Sequence, residues 1–125
     1  MRKSDKKIEN QLRATLTEIC EIALKSHQGF EWLTHTVNYN QFPKSLQIIC
    51  VFDSNVHLIQ FKEGEGYHQF MSLIQAKLFE EGITLKKINQ HIAYDTEENC
   101  NKTHNGKWHE KLKSLSVQFS KVNCH

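Results

Sequence analysis

The sequence has few of the residues that break or staple a chain, and it has no long apolar segment. Its 125 residues include one proline and five glycines. The longest apolar stretch, Leu46 to Phe52, is far too short to cross a bilayer. The first residues also lack the apolar core of a secretory signal. We therefore expect a cytoplasmic protein with no membrane partner.

The four cysteines are too dispersed to suggest a disulfide framework. They are Cys20, Cys50, Cys100 and Cys124, and no CxxC pair occurs. In a reducing cytoplasm we expect free thiols. Cys50 lies in an apolar segment and should be a small buried hydrophobe, while Glu97 should raise the thiol pKa of Cys100. The sequence therefore predicts no cysteine nucleophile.

The composition is that of an ordinary globular protein. Hydrophobic residues make up 38% and charged residues 24% of the chain. A chain of this length buries roughly 65% of its unfolded surface, which is enough for one core. We therefore predict a single globular domain over residues 1–125, with basic terminal segments.

Hydrophobic periodicity predicts the order helix, strand, strand, helix, strand, helix. Shorter helices are expected after Asp53-Ser54 and after Thr96, where capping residues occur. The order indicates a mixed α/β (α+β) fold, a single small two-layer domain whose first two strands are antiparallel. The main segments are a helix at 4–27, strands at 30–39 and 46–52, a helix at 67–81, a strand ending near Asp95, and a final helix from Trp108 to Val122.

Charge is segregated along the chain, although the net charge is only +2. Residues 1–7 sum to +3, residues 8–98 to −5 and residues 99–125 to +4. Two basic termini favour an anionic partner such as nucleic acid. Lysine-rich ends that serve only solubility are the alternative. The candidate nucleic-acid contacts are Arg2, Lys3, Lys6, Lys7, Lys107, Lys111 and Lys113.

Two sets of residues have the chemistry of a metal site. Cys100, His104 and His109 form the pattern C-x3-H-x4-H, whose thiolate and imidazole groups suit zinc. The alternative is that these side chains bind nothing, because zinc modules usually have paired short spacings at both ends. No cofactor is otherwise predicted.

The second set consists of carboxylates at strand ends. Asp53 and Asp95 each end a predicted strand, and Glu97 follows the second of these. If the two strand ends are neighbours, the carboxylates could hold Mg²⁺ or act as an acid–base pair. The alternative is that the aspartates only terminate strands and cap helices.

Two further features concern partners. Trp32, His35, Tyr39 and Phe42 gather around the first strand, where they would either stack on nucleic-acid bases or pack in the core. The amphipathic final helix or an open sheet edge would also serve as a homodimer interface.

The sequence contains a set of short specific motifs, which are Phe30-Glu31-Trp32-Leu33-Thr34-His35, Asn38-Tyr39, Phe42-Pro43-Lys44-Ser45-Leu46, Cys50-Val51-Phe52-Asp53 and Tyr94-Asp95-Thr96-Glu97-Glu98-Asn99-Cys100. These motifs resemble those of a family of short gamma-proteobacterial proteins of uncharacterised function, whose members often carry the label of Fis-family transcriptional regulators. The resemblance covers roughly residues 1–112 and implies a bacterial cytoplasmic protein. A Fis-type regulator reads DNA with a C-terminal helix-turn-helix, whereas one final helix is predicted here.

The sequence thus predicts a non-enzymatic binding or regulatory domain, with nucleic acid as the expected partner of the basic termini. A metal-binding protein or metal-dependent enzyme, and a homodimeric interaction module, are the alternatives.

Overall fold

A computed structural model describes residues 3–113 and 119–122, with side chains described as far as residue 112. It confirms a mixed α+β domain. Two short 3₁₀-helices, Tyr39–Gln41 and Ile88–Gln90, lie in the connections. The main elements are α1 (Lys3–Ser26), β1 (Phe30–Thr36), β2 (Gln47–Phe52), α2 (Asn55–Glu63), α3 (Gly66–Glu80), β3 (Ile92–Thr96), α4 (Glu97–His104), α5 (Trp108–Lys113) and β4 (Phe119–Val122).

The four strands form one sheet in the order β3-β2-β1-β4. β1 is antiparallel to both β2 and β4, which confirms the predicted pairing of the first two strands. β2 and β3 are parallel, with Phe52 opposite Thr96. The carboxyl ends of β2 and β3 therefore meet at one end of the sheet, and their amino ends meet at the other.

One face of the sheet holds the main core. Alternate strand residues, such as Leu33, Ile48 and Cys50, are buried there because successive side chains of a strand point to opposite faces. α1 packs on this face through a stripe spaced by three and four residues, as the sequence predicts. α2 and α3 complete the layer with Phe61, Phe70 and other apolar side chains.

The opposite face carries a smaller cluster. Trp32, Ile49 and Val51 are buried there against Leu112 of α5, with Trp108 packed beside them. The Trp32 and Trp108 rings meet edge to face, with centroids 4.9 Å apart. α1 and α5 therefore lie on opposite faces of the sheet.

The predicted long final helix is wrong beyond α5. Trp108, Leu112, Leu115, Phe119 and Val122 have helical spacing, but Phe119–Val122 is strand β4. A strand is favoured there because it supplies backbone hydrogen bonds to β1, which would otherwise be an edge. Leu115 lies outside the described residues.

Two other predictions are also tested. Cys20 is disulfide-bonded, so the prediction of free thiols throughout is wrong for this residue. Cys50 and Cys100 are free and buried, and burial raises the pKa of both thiols. Burial confirms the prediction for Cys50, whereas Cys100 was expected to be exposed. Among the described residues, no helix has both the length and the apolar character that crossing a membrane requires.

Candidate nucleic-acid interface

Topology places a group of lysines at the end of the sheet where β2 and β3 begin. α1 runs antiparallel to β1, so its first turns lie at this end. The connection from Pro43 to Leu46 leads into β2, and the connection from Glu81 to His91 leads into β3, so both lie at this end of the sheet. We call this group the lysine end; its members are Lys3, Lys6, Lys7, Lys44, Lys86 and Lys87.

Two cavities lie at the lysine end. The first, of about 510 Å³, lies along α1 and is lined by Lys3, Lys6 and Lys7, with Glu81 as its one carboxylate. The second, of about 480 Å³, is lined by Lys44, Lys86, Lys87 and His91 and by no carboxylate. We call the second one the loop cavity. Both combine positive charge with a concave surface.

The charges of the lysine end are not neutralised within the part of the chain that the structure describes. All six lysines are exposed, and none forms an ion pair with residues 3–113. His91 is held in place, because its Nδ1 lies 2.7 Å from the carbonyl oxygen of Leu46. An anion at the loop cavity would therefore meet ammonium groups that no carboxylate already occupies.

Two of the predicted C-terminal contacts lie apart from the lysine end. Lys107 is exposed and immediately precedes α5, which packs on the face of the sheet opposite α1. Lys111 is engaged, since its Nζ lies 2.6 Å from Oδ2 of Asp95 and 5.3 Å from the centre of the Trp108 ring. The side chain of Lys113 and all of Arg2 lie outside the described residues. Lys107 and Lys111 therefore do not add to the lysine end.

Carboxylates concentrate at the opposite end of the sheet, where β2 and β3 terminate. Asp53 and Asp95 follow neighbouring parallel strands, as the paired-carboxylate hypothesis requires. Asp53, however, binds His57 Nδ1 at 2.7 Å, while Asp95 accepts from the Thr96 backbone N–H and pairs with Lys111. Partial burial disfavours the charge of Asp53, yet hydrogen bonds from His57 and Ser54 lower its pKa. Each carboxylate therefore has a structural partner.

Glu97 is also held by partners, because two tryptophans donate to its carboxylate. Trp32 Nε1 lies 2.6 Å from one oxygen, and Trp108 Nε1 lies 3.0 Å from the other. Thr96 caps the helix that begins at Glu97, since its hydroxyl accepts from the Asn99 backbone N–H. Glu97 thus fixes α5 and its cluster onto the sheet.

Replacing Glu97 with alanine is expected to lower the free energy of unfolding by about 2–3 kcal/mol, because it removes the acceptor that both indole N–H groups use. Denaturant unfolding followed by tryptophan fluorescence measures this loss. Glu110→Ala, on the neighbouring helix α5 but exposed, is the control and should change stability by less than about 0.5 kcal/mol. Equal stability of the two variants would contradict this role of Glu97.

Cys100, His104 and His109 are not assembled as a metal site. Cys100 is buried, and the nearest polar group of His104 is its neighbour Thr103, whose hydroxyl lies 2.7 Å from Nδ1. His109 is exposed on α5. Among the described residues, no three histidine, cysteine or acidic side chains lie together in a group that could hold a metal ion. Zinc binding therefore stays a prediction, which elemental analysis of the purified protein would test.

A histidine cavity of about 380 Å³ lies near the carboxylate end and was not predicted. His27 and His57 line it together with Gln60 and Gln69. Asp53 fixes the orientation of the His57 ring, and burial lowers the pKa of His27. Within residues 3–113 the hydrogen-bond partner of the His57 ring is Asp53.

Sequence reasoning missed Lys44, Lys86 and Lys87, because each lies in a segment whose total charge is negative. The only local signal was the adjacent pair Lys86 and Lys87, which follows Leu85.

The chain matches no protein-family model, no curated protein and no solved structure.

Proposed function

We propose that the protein is a non-enzymatic binding domain that contacts nucleic acid through its lysine end. The observation that supports this most directly is the loop cavity, which three lysines and one histidine line without a carboxylate. A phosphate backbone presents regularly spaced negative charge, and unpaired lysines around a concavity match it.

The distribution of charge over the whole fold also supports this proposal. Asp53, Asp95, Glu97 and Glu98 lie where β2 and β3 end, whereas the lysine end lies where they begin. Asp95 and Glu98 are themselves paired with Lys111 and Lys102, whereas the lysines of the lysine end form no ion pair with residues 3–113. A polyanion would therefore be attracted mainly to the lysine end. This attraction does not require the C-terminal lysines to join the N-terminal ones.

A binding role is favoured over an enzyme because the groups with catalytic chemistry already have partners. Asp95 pairs with Lys111, and Glu97 accepts from two indoles. The thiol of Cys100 is buried, and its pKa is raised by that burial. The lysine end instead offers exposed lysines without ion pairs in the described part of the chain, which suit phosphate binding without a reaction.

Neutralising Lys44, Lys86 and Lys87 together with glutamine is expected to weaken nucleic-acid binding at least about 10-fold at low salt. It should also flatten the dependence of log K on log salt by about 2, because each lost phosphate contact removes one released counterion. Fluorescence anisotropy with a labelled oligonucleotide, read between about 50 and 200 mM salt, measures both quantities.

A matched control removes the same charge elsewhere. Lys25, Lys62 and Lys107, changed together to glutamine, lower the net charge equally but lie away from the lysine end. This control should keep most of the affinity and of the salt slope. Equal losses in both triple variants would mean that only net charge matters, and absence of binding by the wild type would refute the proposal.

A regulatory role for this binding is part of the same proposal. The homodimer remains a prediction: β3 and β4 are the edge strands of the sheet and would be its contact. Light scattering at working concentration tests it independently of nucleic acid.

A further inference from the structure

One large apolar side chain is exposed close to the lysine end. Phe79, near the end of α3, is 66% exposed, the largest exposed fraction among the exposed large hydrophobic residues of the described chain. It lines a shallow cavity of about 410 Å³ together with residues of α3 and the connection that follows. The exposed phenyl ring retains apolar surface that a stacked partner would remove from water.

The cavity of Phe79 and the loop cavity are neighbours. Thr84 and Leu85 line both of them. The shared wall is also fixed, since Gln75 of α3 donates its side-chain N–H to the carbonyl oxygen of Leu85 at 2.9 Å. The exposed ring of Phe79 and the lysines of the loop cavity therefore lie in adjoining cavities, where one ligand could contact both.

From this juxtaposition we infer that the lysine end binds single-stranded nucleic acid, with one base stacked on Phe79 and the adjoining phosphates at Lys44, Lys86 and Lys87. The inference rests on the proposed function and specifies the form of its ligand. Only an unpaired strand can turn a base face onto a side chain, because duplex bases are already stacked on each other. An anionic membrane would use the lysines but offers no flat ring to Phe79.

The aromatics gathered around β1 do not take this role. Trp32 is buried in the smaller cluster, and His35 is buried as well. Tyr39 and Phe42 are partly buried against the main core. The four aromatics that were predicted to stack on bases are therefore packed within the domain. The exposed ring is that of Phe79, which the helical pattern of α3 did not distinguish.

The test is the binding of the full-length protein to a labelled oligothymidylate of about 12 nucleotides, measured by anisotropy. Phe79→Ala should weaken binding roughly 5-fold or more while leaving the salt slope unchanged, because stacking releases no counterions. Phe79→Tyr should keep the wild-type affinity, since it keeps the ring. A duplex of the same length should bind more weakly than the single strand and should not respond to Phe79→Ala.

Ile59→Ala is the matched control, because Ile59 is also a large exposed apolar residue but belongs to α2. It should leave affinity unchanged. If Phe79→Ala binds like wild type while the Lys44, Lys86 and Lys87 variant does not, the stacking inference fails and the proposed function stands. If the wild type binds anionic vesicles but neither single strand nor duplex, both fail.

Discussion

Replacing Gly29 with alanine is expected to lower the free energy of unfolding by about 2–4 kcal/mol. Gly29 connects α1 to β1 with a φ of +85°, a conformation that side chains with a Cβ rarely adopt. A Cβ there would also lie 2.5 Å from the Cβ of His57. The cost combines backbone strain of about 1 kcal/mol with overpacking of about 1–3 kcal/mol.

The collision at Gly29 cannot be relieved by rotating the histidine ring. The nearest atom is the Cβ of His57, whose position is set by the backbone of α2. Relief would require moving α2 away from β1, although the Gly29 carbonyl also accepts from the Asp53 backbone N–H at 2.8 Å. The same shift would disturb the contact between Asp53 and His57, so the histidine cavity depends on this glycine.

Gly82→Ala is the control that separates strain from collision. Gly82 has a similar φ of +80°, and a Cβ built on it meets nothing within 4 Å. It should therefore cost only about 1 kcal/mol, the strain alone. Denaturant unfolding of both variants at the same pH makes the comparison. If the two alanine variants lose similar amounts of stability, His57 moves to accommodate the new Cβ at position 29, and the predicted collision does not destabilise the protein.

Local patterns predicted most of this fold correctly. The spacing of Leu12, Leu16 and Ile19 gives the buried face of α1, and the apolar run of β2 indicates a strand covered on both sides. Thr96 and Ser54 cap the helices that their residue types predict. These features depend on neighbours in sequence, which is why periodicity and capping rules find them.

Features that depend on distant contacts were not predictable in this way. Phe119 and Val122 fit a helix by spacing, but the unpaired edge of β1 makes a strand more favourable. The lysine end joins Lys7, Lys44 and Lys86 from three segments, and no window of the sequence contains them together. Charge summed along the chain therefore indicated an anionic partner but could not show which lysines of separate segments lie together.

The protein is expected to lose about 2 kcal/mol of stability between about pH 7.5 and about pH 5, and His35 is the main cause. His35 lies in β1 between β2 and β4, and it is 1% exposed. Its Nδ1 has no hydrogen-bond partner within the described chain. Burial, with a smaller contribution from the Arg13 guanidinium, lowers the pKa of His35 to about 4.

The direction of this pH effect follows from proton linkage. The ordinary pKa of histidine, near 6.5, applies to the unfolded chain, so that chain takes up a proton well before folded His35 does. Its neutral form therefore contributes stability that is complete above about pH 6.5 and is lost as the pH falls toward 4. His27, whose pKa is also lowered by burial, adds in the same direction.

The choice of pH separates the effect of histidine protonation on stability from that of carboxylate protonation. Hydrogen bonds and ion pairs lower the pKa values of Asp53 and Glu98, so these groups lose their stabilising charge only below about pH 4. Urea unfolding at about pH 7.5 and about pH 5 therefore reports mainly on histidines. The wild type should show a lower midpoint at the acidic pH with an unchanged m-value.

Two substitutions assign the effect to His35. His35→Gln keeps a polar side chain and His35→Leu an apolar one, and neither can take up a proton in this range. Each should lose most of the pH dependence, whatever its stability at pH 7.5, whereas His27→Gln should retain the larger part of it. If both His35 variants keep the wild-type dependence of stability on pH, protonation of His35 is not the cause of the loss at acidic pH.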